Sequence, residues 1–380
     1  MTNSGGGDIE LQPLKPMLPQ LQTMWRELKW IVTLFVLTVF LSIVVYPSRS
    51  LVPQMLSQVP SFPAFVQPPI AAKNEINYTD TTIEAEDRRK LARILKEASM
   101  NDTKTVIVTL MNQAWAEPNS TFDLFLEGFR IGNGTERLLR HIVVVCLDDK
   151  AYSRCLEVFP HRCFFLRTTG IDFSSEKRFM AGDYLRMMWR RTQFLGSLLK
   201  LGYNFLFTDM DTIWLRDPFP RLAVDVDFQI ACDFFFNGNF TDRHNAANGG
   251  FKMVMANNRT VDFYNYWYKS RLRFRRRNEQ EVLNWIKGDR YVNKIGLTMR
   301  FIGTTDVGNF CQRNWDITKV CVMHGNCCIG QGNKLMDLRQ VIEDWKIFFV
   351  NGDRKRRFRQ PMRCRYSFYR MLHRNHKRKV

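Results

Sequence analysis

The 380-residue chain is short of several things that would assign it at once. No Gly-x-Gly-x-x-Gly opens its globular part, which argues against a dehydrogenase, and no P-loop is present. Cys-x-x-Cys is absent, and neither the cysteines nor the 6 histidines fall at zinc-finger spacing. Acidic residues are outnumbered by basic ones, 37 to 56, for a formal net charge of +19. That sign suits an anionic partner. Its placement weakens nucleic acid as that partner, because much of it lies in Arg271–Arg277 and after Asp353, where a solvated tail is the ordinary reading. The composition is otherwise that of a folded protein, 45% hydrophobic, with room for a membrane anchor and one domain of roughly 300 residues.

Apolar runs of membrane-spanning length are also scarce, and the one present is informative. Trp30 to Tyr46 carries no charge, lies between Arg26 and Lys29 on one side and Pro47 and Arg49 on the other, and is near the lower limit for a span. It starts too late and runs too long for a cleaved signal core, so it reads as an anchor, and the denser Lys and Arg before it put the N-terminus in the cytosol. Prolines at 47, 53, 60, 63, 68 and 69 then make a stiff spacer. The expected organisation is a cytosolic disordered tail over 1–29, an anchor over 30–46, a stem over 47–80, a globular domain over 81–352 and a basic tail over 353–380. Six Asn-x-Ser/Thr triplets, at Asn77, Asn101, Asn119, Asn133, Asn239 and Asn258, all follow the anchor and mildly favour a lumenal, Golgi-resident domain.

Nine cysteines agree with an oxidising compartment. The local pairs Cys155–Cys163 and Cys311–Cys321 are the first expectations, with Cys146, inside an apolar strand pattern, as the odd buried thiol.

The globular part alternates strands and helices. Helical spacing covers Ile83–Ala98, Phe122–Arg130, Ala151–Val158 and Asp183–Leu201. Short apolar runs at Lys104–Leu110, His141–Leu147 and Tyr203–Thr208 read as strands. Strands apolar on both faces and separated by helices imply an α/β fold with a mostly parallel sheet covered on two sides. Ligands in such sheets bind at the carboxyl ends of the strands. The aromatic stretch Phe263–Phe274, at helical spacing, reads as core.

Asp209 and Asp211 stand at the carboxyl end of the third of those runs, and both are expected to be exposed in the cleft. Two carboxylates so placed can hold Mn²⁺ or Mg²⁺, although a bare Asp-x-Asp is more often a turn aspartate. The apolar strand before it and the compartment favour the metal. Asn248-Gly249-Gly250 lets backbone come close to a ligand, or forms an ordinary turn.

The stretch LGYNFLFTDMDTIWLRDPF resembles the signature of the plant nucleotide-diphospho-sugar transferases, a family that includes rhamnogalacturonan xylosyltransferases and extensin arabinosyltransferases. The resemblance runs from about Thr105 to Trp345 and takes in VIVTLMNQAWAEPNSTFDLFLEGFR, MMWRRTQFL, NGGF, VLNWIK and HGNCCIGQGNKLMDL, in that order. It implies a GT-A fold, Mn²⁺ dependence, a UDP-sugar donor, a glycan or glycoprotein acceptor and retention of anomeric configuration. By the same resemblance Thr109 and Asn112, in the loop after the first strand, hold the base and ribose, and Asp209 and Asp211 bind the metal. His324 completes the metal shell; on sequence alone it is a lone histidine among cysteines. Gly330 and Lys334 approach the diphosphate. Arg191 is taken toward the donor, with Gly249 and Gly250, and Arg190 as exposed. Where related enzymes carry Asp-Gln-Asp, this chain has Glu279-Gln280-Glu281, and Gln280 and Glu281 are expected to be catalytic together with Asp209 and Asp211. The competing reading is a non-catalytic, membrane-tethered binder of anionic polysaccharide, against which the intact Asp-x-Asp and His324 argue.

Overall fold

The computed structural model describes residues 85–380, except 169, 313–315, 351, 353–356 and 378–380, together with the side chains of these described residues other than 85, 350 and 374–377. The apolar run Trp30–Tyr46, the proline-rich stretch after it and the triplet at Asn77 lie outside them. Among the described residues no helix is long and apolar enough to cross a membrane. The five described triplet asparagines, Asn101, Asn119, Asn133, Asn239 and Asn258, are all exposed.

A seven-stranded sheet carries the fold. Its strands are β1 (Thr105–Met111), β2 (Ile142–Cys146), β3 (Cys163–Phe165), β4 (Asn204–Thr208), β6 (Phe228–Phe234), β7 (Ala246–Val254) and β8 (Met299–Ile302). Their order is β3-β2-β1-β4-β7-β6-β8, and only β7 runs against the rest. Both faces are covered, which is why these strands read as unbroken apolar runs. Val106 and Val108 of β1 pack with α1 (Ala85–Ala98), α5 (Gly182–Lys200), α6 (Asn258–Arg273) and α7 (Glu279–Ile286). Ile107 and Met111, one residue out of phase, pack with α3 (Thr121–Ile131) and α4 (Asp149–Val158). Each such fully buried side chain contributes about 1.5–3 kcal/mol. Phe263, Tyr264 and Trp267 of α6 are core, as their spacing predicts.

Local chemistry sets the helix starts. Asp148 caps α4 by accepting from the Ala151 amide, and Asn257 and Asn278 form capping boxes at α6 and α7. The expected loop after β1 includes a single turn, α2 (Gln113–Ala116). The three-residue β3 is an addition, so the strand before Asp209 is the fourth. β3 is tied to α4 by the expected Cys155–Cys163 bridge.

A second sheet of three strands, β5 (Thr212–Trp214), β10 (Val322–His324) and β9 (Val307–Asn309), lies in that order. Its core joins α9 (Gln331–Trp345) and α10 (Met362–Lys377). A further short helix is α8 (Arg290–Lys294). The region expected as a basic tail thus contains a helix, pinned by Cys328–Cys364.

The expected pair Cys311–Cys321 does not form; Cys311 bonds Cys327. The reason is strand direction. β9 and β10 are parallel, so Cys311, two residues past the end of β9, meets residues just past the end of β10, whereas Cys321 precedes its start. Three thiols are free and buried: Cys146, as expected, with Cys232 and Cys321.

Candidate active site

The metal-binding candidates meet where the two sheets join. Between Asp209 and Asp211, Met210 is fully buried, so the alternation of the chain turns both acids the other way. Thr212 braces the turn, its hydroxyl donating to the Asp209 carbonyl (2.9 Å), while the Asp209 amide donates to the Gly250 carbonyl (2.7 Å). Contrary to expectation Asp211 is buried, at 2% exposure. The cause is β10, which pairs antiparallel with β5 and sets His324 opposite Thr212. His324 Nε2 then lies 3.2 Å from Asp211 Oδ1 and 3.8 Å from Asp209 Oδ2, and the three potential ligand atoms fall within 4.8 Å of one another.

Apart from its ion pair with His324, Asp211 Oδ1 is buried without a hydrogen-bond partner, which leaves it capacity for a further ligand. Two hard carboxylate oxygens and one imidazole nitrogen fit Mn²⁺ better than Mg²⁺. Lys334 Nζ, on the first turns of α9, lies 2.5 Å from Asp211 Oδ2. Burial alone would raise the Asp211 carboxyl; Lys334 and His324 outweigh it and hold the group well below the usual carboxylate range. Burial would likewise lower His324, but Asp211 and then Asp209 outweigh it and raise the imidazole above its ordinary value. Gly330, at the N-cap of α9, has φ of +87°, a conformation that suits glycine.

Arg191 reaches in from α5. Its guanidinium lies 2.6 Å from Asp209 Oδ1, bonds Glu279 Oε1 and covers the Phe207 ring. Arg190 is not exposed: it is 6% accessible and donates to Gln193 Oε1 and the Arg167 carbonyl. Gly250 is an enforced glycine, since a Cβ there would stand 2.4 Å from His324 Cε1 and 2.6 Å from Asp209 Oδ2. At Gly249 a Cβ would come 3.3 Å from Glu279 Oε1.

The Glu279–Glu281 expectation needs correcting. Gln280 is in the site, accepting from the Gly249 amide (2.9 Å). Glu281 is not: as the third residue of α7 it turns back to close the capping box with Asn278 and pairs with Arg277. Glu279, buried against Arg191, is the acid that faces the cluster. Thr109 lies within β1 rather than in the loop after it, its hydroxyl buried and without a partner. Asn112 follows β1 and spends its amide on the carbonyls of Phe173 (2.9 Å) and Ser175 (2.8 Å).

Sequence reasoning missed Asp233 and Lys252. Asp233 near the end of β6 repeats the pattern of Asp209, an acid closing an apolar run, and that pattern was the available signal. Burial raises its carboxyl despite hydrogen bonds from neighbouring amides. Lys252 is fully enclosed, donates to the Gly249 carbonyl (2.7 Å) and rests on Phe207; burial, then Arg191, push its ammonium down to about 7.

A family model for nucleotide-diphospho-sugar transferases matches residues 137–338, which span the whole acid–histidine–lysine cluster. The chain belongs to that family. This nucleotide-diphospho-sugar transferase is therefore a glycosyltransferase, with an α/β fold and a mostly parallel central sheet. It is 60% identical over 268 residues to Arabidopsis thaliana "Uncharacterized protein At4g15970", covering 70% of each chain. It is 26% identical over 137 residues to the Arabidopsis thaliana "UDP-D-xylose:L-fucose alpha-1,3-D-xylosyltransferase 3", covering 36% of this chain and 33% of that one. Mouse xyloside xylosyltransferase 1 in its apo form is a distant structural relative, 12% identical, with 59% of this chain and 98% of that chain covered and a TM-score of 0.35. At that score the likeness carries no argument.

Proposed function

We propose that this transferase is a metal-dependent, retaining GT-A enzyme that moves a sugar from a UDP-sugar to a glycan or glycoprotein, its catalytic domain held in the Golgi lumen by Trp30–Tyr46. One observation carries the chemical part: Asp209 and Asp211 converge with His324, which lies far later in the sequence, and Lys334 stands beside them. Asp209, Asp211 and His324 hold the ion, Mn²⁺ by the chemistry of the donor set. Bound there, the ion neutralises negative charge as the sugar–phosphate bond breaks. Lys334 adds a point charge to the departing diphosphate, and Gly330 leaves the start of α9 open to it. Arg191, fixed by Glu279 and Phe207, keeps Asp209 aimed. Gln280 and the Gly249–Gly250 backbone form the wall on which the donor sugar rests. The xylosyl donor in the name of the Arabidopsis relative makes UDP-xylose the first to try.

The test is release of UDP from a panel of UDP-sugars by the purified protein, with Mn²⁺ and with chelator. Chelator-sensitive turnover of at least one donor is expected. A folded protein that binds neither Mn²⁺ nor UDP would sink the reading. The lumenal placement has its own support, five exposed triplet asparagines, and its own test below.

A further inference from the structure

Three side-chain amides from three different elements converge on Asp233. Its Oδ1 accepts from Asn248 Nδ2 (2.7 Å) and Asn326 Nδ2 (2.6 Å), and its Oδ2 from Gln280 Nε2 (2.9 Å). Every one of these amides is committed at its other end too. Asn248 Oδ1 accepts from the Gly250 amide (2.8 Å), Gln280 Oε1 from Gly249 (2.9 Å) and Asn326 Oδ1 from Phe310 (3.0 Å). An isolated carboxamide can present either end; beside an acceptor-only carboxylate only the N–H₂ end fits. Asp209, Asp211 and Glu279 are each paired with a cation, whereas the hydrogen-bond donors to Asp233 are neutral amides. Its carboxylate therefore sets the orientation of all three.

The chain of contacts continues to the metal-binding candidates. Gly249 and Gly250 are gripped by Gln280 and Asn248, the Gly250 carbonyl holds the Asp209 amide, and no Cβ fits between Gly250 and His324. Asn326 lies two residues past His324. We propose that Asp233 is a positioning residue, which locks the Gln280, Asn248 and Asn326 amides and thereby holds the glycine pair and His324 in register for the metal and diphosphate. The inference rests on reading the cleft as the donor site.

A reciprocal exchange tests it. In Asp233→Asn the new N–H₂ meets a second N–H₂, that of Gln280, which must let go of Asp233 or of Gly249. Gln280→Glu alone sets two carboxylates against each other. In the double variant every hydrogen bond can form again, with the carboxylate moved to 280 and the amide to 233. Mn²⁺-dependent binding of UDP is measured for all four full-length proteins by thermal shift and calorimetry, with melting of the metal-free protein alongside. UDP has no sugar, so the readout does not depend on the donor's identity. Each single variant should lose roughly tenfold in affinity, as supporting residues of metal sites do. The double variant should recover to within about threefold of the parent, well beyond additivity. A contribution to folding alone would restore the melting temperature without moving the affinity, and that result overturns the proposal. So does a folded Asp233→Asn protein that binds as tightly as the parent. If the parent itself binds neither Mn²⁺ nor UDP, the functional reading fails instead. Non-additive melting would then still support the Asp233–Gln280 lock, and additive melting would refute it.

Discussion

At the scale of single residues the site is a set of charges that hold one another in place. Asp211 is buried and its ionisation depends on Lys334 and His324, so it cannot be altered without disturbing both. Asp211→Asn is expected to reduce Mn²⁺-dependent turnover at least roughly a hundredfold, with a stability cost of about 1–3 kcal/mol from the lost charged contacts. Activity assays paired with urea melts check both, and normal turnover with Mn²⁺ would rule out the assigned role. His324 gives a pH signature whose sign is fixed. Its raised imidazole holds a proton that stabilises the metal-free protein below the ordinary value near 6.5 and is lost as pH rises through the higher folded value. A metal needs the same nitrogen unprotonated, so Mn²⁺ affinity should weaken steadily as pH is lowered from about 8 to about 5.5. Calorimetry across that range should also detect proton release on binding near neutral pH, and a flat profile would remove His324 from the shell. The residues legible in the sequence were those announced by their surroundings. Asp209 and Asp211 follow an apolar strand, and Gly250 stands in a glycine pair. Asp233 carries a similar signature in FQIACDF but has no partner within the local sequence, since its three amides come from elsewhere. Glu281 was misassigned because an acid at the third position of a helix serves capping as readily as catalysis.

Among the elements, the long apolar ones were readable and the short ones were not. β1, β2, β4 and the helices between them follow from periodicity, because burial on both faces leaves little else for such runs to do. β3, β9 and β10 have three residues each, too few for a period, and only their pairing gives them identity. The Cys311 partner was lost with them, since it depends on β9 and β10 running the same way. Asp227, just before β6, shows how such elements are clamped. It accepts from Asn257 Nδ2 (2.7 Å) at the start of α6, from Arg259 Nε (2.8 Å), and from the Thr298 amide (3.0 Å) ahead of β8. Burial would raise this carboxyl; Arg259 and the other donors outweigh it and bring it to about 2. A depressed carboxyl stabilises the fold above its unfolded value and loses that contribution as pH falls through its folded value. Asp227→Ala should therefore destabilise the domain by about 2–4 kcal/mol at neutral pH, with the gap to the parent closing as pH approaches about 2. Urea melts at both ends of that range measure it; a constant gap would mean that the charge is not what holds the clamp.

For the whole molecule the question is where the domain works. Trp30–Tyr46 has the apolarity of an anchor, and the exposed asparagines at 101, 119, 133, 239 and 258 lie on the surface that a lumenal domain would present for glycosylation. Expressed with microsomes, the full chain should stay membrane-bound through alkaline wash and resist protease unless detergent is added. Digestion of the C-terminal domain in sealed vesicles would reverse the assigned orientation.

The pairing of β5 with β10 has a consequence in time. During synthesis Asp209 and Asp211 emerge more than a hundred residues before His324 and Lys334, and until β10 lies down beside β5 Asp209 has Arg191 for a partner while Asp211 lacks both of its own. A partly made or misthreaded chain would thus have no place for the proposed ion, and capacity to bind it would appear only when both sheets had closed. Under the proposed metal-dependent function, metal occupancy would double as a report that folding is finished, and a chain that never acquired it would be recognisable as unfinished before it met a sugar.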